Sequence, residues 1–123
     1  FVRSALQGDP IDIPINRGID ILHVDDAVTA LMLAADQLTS LCPDGGSRRF
    51  NIGRGEPTAL DELARLASVA AGRSVEIRCG EEGSCFYLDI AAAAADLGFS
   101  PTPLAQGLED IASCLQRSEL ALP

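Results

Sequence analysis

The stretch Ile11-Asp12-Ile13-Pro14-Ile15-Asn16-Arg17-Gly18-Ile19-Asp20-Ile21-Leu22-His23-Val24-Asp25-Asp26 decides how this sequence folds. Ile11, Ile13 and Ile15 alternate with Asp12 and Pro14, the period-two pattern of a strand with one wet face. Pro14 has no amide hydrogen to give a neighbour, which confines that strand, Ile11–Ile13, to an edge. Arg17-Gly18 predicts a turn, and Ile19–His23 a second strand. The pattern then changes period. Val28, Leu31, Met32, Ala35 and Leu38 fall on one helical face, predicting a helix over Asp26–Leu41 that turns this face inward and is capped by Asp25 or Asp26. Strands giving way to an amphipathic helix indicate a mixed α/β fold.

Working outward, Val2–Gln7 reads as a helix stopped by Gly8-Asp9-Pro10. Beyond a loop at Cys42-Pro43-Asp44-Gly45-Gly46, Phe50–Ile52 reads as a short strand. Thr58-Ala59-Leu60-Asp61 resembles a capping box opening a helix over Ala59–Ala71, with Leu60, Leu63, Leu66, Ala67 and Ala70 inward and Gly72 as its end. A strand at Val75–Ile77 and helices at Ile90–Leu97 (capped by Asp89) and Leu104–Leu120 complete the chain. No repeat or linker divides it, so residues 1–123 are expected to form one unit.

Composition excludes several functions. The chain of 123 residues has a formal net charge of -9, which repels nucleic-acid phosphates and anionic membranes. Its nine basic residues are all arginine; with no lysine there is no Schiff-base, P-loop or general-base lysine. His23 is the one histidine, and Cys42, Cys79, Cys85 and Cys114 form no C-x-x-C pair, so no metal site is expected. The four read as ordinary buried thiols, which point to the cytoplasm. No apolar run is long enough to span a membrane. The sequence opens at Phe1 in mid-pattern and is read as a piece of a longer protein.

Chemistry-bearing motifs are sparse. Gly53-Arg54-Gly55 lacks the third glycine of a dinucleotide fingerprint, leaving a phosphate nest or a plain turn into a helix. Asp25-Asp26 is a helix cap before it is an acid–base pair. His23 reads as a packed or hydrogen-bonded core histidine, Glu81-Glu82 as a solvated turn, and no serine lies in a G-x-S-x-G context.

In order, Phe1-Val-Arg-Ser-Ala-Leu-Gln-Gly-Asp-Pro-Ile, Asp20-Ile-Leu-His-Val-Asp-Asp-Ala-Val, Phe50-Asn-Ile-Gly-Arg-Gly, Arg78-Cys-Gly-Glu, Asp89-Ile, Leu97-Gly-Phe-Ser-Pro and Gly107-Leu resemble the C-terminal part of the NAD-dependent epimerase/dehydratase family. These are the extended short-chain dehydrogenases that act on nucleotide sugars. The resemblance implies a small mixed α/β substrate-binding lobe of a Rossmann-type enzyme, with short strands and four to five helices. It implies an isomerase or oxidoreductase using NAD(P) held by an upstream dinucleotide-binding domain that this sequence does not include. The family's catalytic Tyr-x-x-x-Lys has no counterpart, because Ala91 stands four places after Tyr87, so the chain alone is expected to lack catalytic residues and to bind no cofactor.

The same resemblance supplies the site candidates. Arg78 matches the family's R-x-G-D arginine, with Glu81 in place of Asp, and its planar fork suits a phosphate or carboxylate. The family's diphosphate arginine before D-F-I-H-V-D-D is matched by Ile19, with Arg17 two residues earlier. The aromatic residue that packs on the nucleobase is matched by Pro14. Losing both favours a smaller polyol or sugar acid beside a nucleotide sugar as substrate. Two function classes follow: the substrate lobe of an epimerase, dehydratase or reductase, or a non-catalytic small-ligand or protein-interaction domain that kept the fold. An apolar edge at Phe50–Gly53, stripped of the missing domain's sheet, predicts homo-oligomers.

Overall fold

A computed structural model describes residues 1–120. The chain runs α1 (Val2–Gln7), β1 (Ile11–Ile19), α2 (Val24–Asp36), α3 (Leu38–Leu41), β2 (Thr58–Ala59), α4 (Leu60–Ala70), β3 (Ile77–Cys85), α5 (Ala91–Leu97) and α6 (Leu104–Leu120). The fold is mixed α/β, with three strands in the order β2-β1-β3. β3 lies parallel to β1, with Ile11 beside Ile77 and Asp12 beside Arg78, whereas β2 is antiparallel to it through Gly18 and Ile19. The parallel pair needs a crossover, and α4 lies within it.

Helix α4 holds the core together. Its buried Ala64 packs on Ile11 and Ile13 of β1. Its buried Ala67 packs against Val2 of α1 and Leu108 and Ala112 of α6. Alanines let the helix approach both neighbours closely, while Leu63 and Leu66 fill the flanks. Ile13 is 2% exposed, and full burial of such a side chain contributes about 1.5–3 kcal/mol. A separate cluster joins Ala30 of α2 to Ala93, Leu97 and Phe99 around α5.

Helices α1 and α6 match the sequence reading, and Gly8 ends α1 with φ +82, the left-handed geometry that only glycine adopts freely. Elsewhere the structure corrects it. The expected strand at Ile11–Ile13 runs on to Ile19, so Arg17-Gly18 is no turn, and residues 20–23, expected in a second strand, form none. β3 pairs with β1 as far as Gly18, β2 joins at Gly18 and Ile19, and the β1–β3 ladder is irregular between Asn16 and Gly18. β1 is the middle strand only at Gly18 and Ile19; over Ile11–Ile13 it has β3 alone beside it, the edge position expected from Pro14. Pro14 is tolerated because β2 reaches only Gly18 and Ile19, so no strand lies on its second side.

Phe50–Ile52 is not a strand; its side chains pack on the α2–α5 cluster, and no strand pairs with it among the described residues. The strand expected at Val75–Ile77 begins at Ile77 and runs to Cys85, carrying Glu81 and Glu82 within the sheet because β1 offers a full-length partner. Thr58 does not cap α4. Its side chain meets Arg54, and Asn16 Oδ1 accepts the Asp61 amide at 3.1 Å instead. The helix expected over Asp26–Leu41 starts at Val24 and breaks at Gln37, whose side-chain Nε2 donates to Leu97 O at 3.1 Å. Its cap is His23, not an aspartate: Nδ1 accepts the Asp25 amide at 3.3 Å.

The face expected to point inward on α2 is the exposed one. Val28, Leu31, Met32 and Leu38 are 53%, 72%, 60% and 61% exposed. Ala30 is buried in their place, with Leu33 and Ala34 packed beside it.

Candidate functional site

The outer part of the β1–β3 ladder carries the candidate ligand residues. Arg78 stands beside Asp12 in the register and reaches two carboxylates. Nε and Nη2 donate to the two Glu76 carboxylate oxygens at 3.0 and 2.8 Å, and Nη1 lies 3.5 Å from Asp12 Oδ1. Those hydrogen bonds and the Glu76 charge push the Arg78 pKa up, and the same contacts pull Glu76 below its ordinary value. All three side chains are more than half exposed, so the pairs are screened and weak. A phosphate arriving here competes with solvated carboxylates rather than a buried ion pair.

Pro14 is exposed on the neighbouring rung, between the Ile13–Cys79 and Ile15–Glu81 pairs. Gly80 lies across from it, and a Cβ there would collide with the Pro14 carbonyl, so glycine permits the close approach of the two strands. Arg17 and Ile19 are not part of this cluster. Arg17 is exposed five residues beyond Asp12 along β1, roughly 16 Å at strand spacing. Ile19 is half-buried and pairs with Thr58 in β2. The structure thus brings Pro14 and Arg78 together and leaves the other two candidates at the far end of the strand.

Sequence reasoning missed the centre that orders the loops. Asp20 Oδ1 accepts the Arg54 amide at 2.7 Å, and Oδ2 accepts the Gly55 and Leu88 amides at 3.2 and 3.1 Å. Gly53 lies so close that a Cβ would sit 2.6 Å from Oδ2. The glycine turn therefore spends its amides on a carboxylate of its own chain. The residues present do not fit a dinucleotide phosphate there. The clue was an aspartate directly after a strand, with a Gly-x-Gly turn later in the chain to supply amides. Asp26, read as a cap, is 7% exposed and bonds the Thr102 amide and hydroxyl at 2.9 and 2.7 Å, fastening α2 to the segment before α6.

Arg54 is mostly enclosed, with its guanidinium against Glu56 and the Thr58 hydroxyl. Asp61 is raised by burial, but the Arg65 hydrogen bond, the Glu62 amide and the Arg65 charge outweigh this and leave it below its ordinary value. Beside the exposed face of α2 lies an apolar cavity of about 380 Å³, lined by Leu22, Ala30, Leu31, Phe50, Ile52 and Leu97. No group of histidine, cysteine and carboxylate side chains among the described residues could hold a metal ion. No helix among them is long and apolar enough to cross a membrane.

No family model matches the sequence, and no curated protein matches it. Solved structures do. MoeE5 in complex with UDP-glucose and NAD superposes with a TM-score of 0.75 at 29% identity, over 96% of this chain and 40% of that one. The UDP-glucose 4-epimerase of Thermotoga maritima, solved with UDP-glucose, gives 0.74 at 25% identity over 96% and 38%. The UDP-N-acetylglucosamine 4-epimerase of Bacillus cereus gives 0.75 at 22% over 99% and 39%. The chain spans about two fifths of the length of these proteins. In its fold and in the order of its motifs the chain is similar to about two fifths of the UDP-sugar 4-epimerases and NAD-dependent epimerase/dehydratases.

Proposed function

We propose that this chain is the C-terminal substrate-binding portion of an NAD(P)-dependent sugar-nucleotide epimerase, dehydratase or reductase. The observation that carries the reading is the match, over nearly the whole chain, to two structures that hold UDP-glucose. In this reading a dinucleotide-binding domain supplies the cofactor, the Tyr-x-x-x-Lys pair and all hydride chemistry. This chain supplies neither, since it has no lysine and its Gly53–Gly55 amides are taken by Asp20. That domain also covers the apolar face of α2 and the cavity beside it. The four cysteines are free but not buried as expected, since Cys79 and Cys85 lie on the exposed β3 and Cys114 on an exposed position of α6; free thiols suit a reducing, cytoplasmic setting.

Arg78 is the substrate anchor, its guanidinium exchanging Glu76 and Asp12 for a phosphate or sugar carboxylate, with Pro14 lining the same rung. Arg17 meets a different part of the ligand. The first test is to read the coding sequence around this chain. An upstream segment with G-x-x-G-x-x-G and Tyr-x-x-x-Lys is expected; its absence would favour a non-catalytic ligand-binding domain. In the enzyme so defined, Arg78→Ala should weaken substrate binding by about 2–4 kcal/mol, seen mainly in KM, and Arg78→Lys should recover only part. An unchanged KM with lowered thermal stability would make Arg78 a structural ion-pair residue.

A further inference from the structure

β3 is an edge strand of nine residues whose outer side pairs with nothing among the described residues. Exposed strands of this length are normally blunted by lysine, proline or a covering element. β3 has no lysine and no proline, and its residues after Ile77 are exposed throughout. The Ile11 amide donates to Glu76 O, so the even-numbered residues of β3 turn their backbone groups toward β1. The odd-numbered ones, Ile77, Cys79 and Glu81, therefore point theirs outward, unpaired.

We infer that β3 pairs antiparallel with β3 of a second copy of this chain, about a two-fold axis at Gly80. Of the registers centred on Cys79, Gly80 and Glu81, which all join outward-facing groups, charge favours the one on Gly80. Centred on Gly80, Arg78 lies opposite the second copy's Glu82, and Glu82 opposite its Arg78. Centred on Glu81, two Glu81 carboxylates face each other; centred on Cys79, Glu82 faces Glu76. Like charges directly opposed are destabilising, and opposite charges stabilise. Gly80 on the axis suits the short approach of a non-hydrogen-bonded pair.

The same register accounts for two further features. Phe86 and Tyr87, which follow β3, are 63% and 55% exposed. Pairing about Gly80 carries them alongside the second copy's Arg73, Ser74 and Val75. Those residues line a cavity of about 330 Å³ with Val69 and Ile77 as its apolar wall. Arg73 donates to Leu6 O at 3.0 Å and meets no carboxylate among the described residues, leaving its guanidinium face for the Tyr87 ring. Pairing and phosphate binding draw on the same Arg78, so an Arg78 facing Glu82 across the axis is not offered to substrate.

Sedimentation of the 123-residue chain at high micromolar concentration should show a dimer. Arg78→Glu should raise its dissociation constant about tenfold, and Arg78→Glu with Glu82→Arg should restore it to within about threefold. Arg78→Cys with Glu82→Cys, mildly oxidised, should give a covalent dimer in which mass spectrometry joins the peptides carrying positions 78 and 82. Within one strand those positions are about 13 Å apart, too far for a bridge, so the link reports pairing between copies. A monomer would overturn the proposal. So would a dimer indifferent to both charge variants, or one lost on Leu31→Asp but kept on Arg78→Glu, since that dimer would assemble through α2.

Discussion

The two halves of this small fold treat their helices in opposite ways. Helix α4 is packed on both sides, by β1 and by α1 and α6, and hides its small residues. Helix α2 is just as apolar but is covered on one side only, by α5 and the Phe50–Ile52 segment, and shows Leu31 and Met32 to solvent. Amphipathicity gives a helix a face to bury; it does not say that the chain in hand supplies the cover. Isolated exposed apolar residues are ordinary on a protein surface, but a row of them beside an apolar cavity marks an interface.

The widest gap between the halves should come from truncating each. Ile13→Ala, in the closed half, should cost about 2–5 kcal/mol, read by chemical denaturation. Leu31→Ala, in the open half, should stay within about 0.5 kcal/mol. A large loss at Leu31 would mean that its face is already covered in solution. Next comes Asp20, which binds the open half to β1. Asp20→Ala should cost about 1–3 kcal/mol by stranding three amides, and Asp20→Asn should recover the Arg54 contact alone. Equal stability of wild type and Asp20→Ala would leave those amides to water.

A smaller effect is expected from Asp26→Ala, about 1 kcal/mol, with faster hydrogen exchange at the Thr102 amide and no change in α4. The smallest is acid sensitivity at the β1–β3 ladder. Glu76 is held below its ordinary value of 4.5, so its contribution is present above that value and fades as pH falls through the lowered one. Glu76→Gln should flatten the acid limb of the stability curve slightly, and an unchanged limb would show that Arg78 gives Glu76 nothing.

Local signals carried the helices well. Gly8 and Gly98 end their helices with φ +82 and +68, and the proline pair before Leu104 marks the start of α6. Partnership was not legible. Nothing local says that Arg17-Gly18 continues a strand, because Ala59 and Cys85 across the ladder decide it. Phe50–Ile52 has a strand's composition and no strand beside it. For the site, Arg78 was visible through its motif, whereas its Glu76 and Asp12 partners follow from register. Asp20 was hidden for the same reason: its three donors lie 34, 35 and 68 residues away.

That separation has a kinetic consequence. The Asp20 carboxylate cannot collect its amides until two long loops have closed, and loop closure must be entropically met before such contacts reward it. The knot therefore belongs to the late, downhill side of the folding barrier, after β1 and α4 have met. Asp20→Asn should accelerate unfolding and leave the folding limb of a chevron plot nearly untouched, making this aspartate a latch on the native state rather than a part of the nucleus that reaches it.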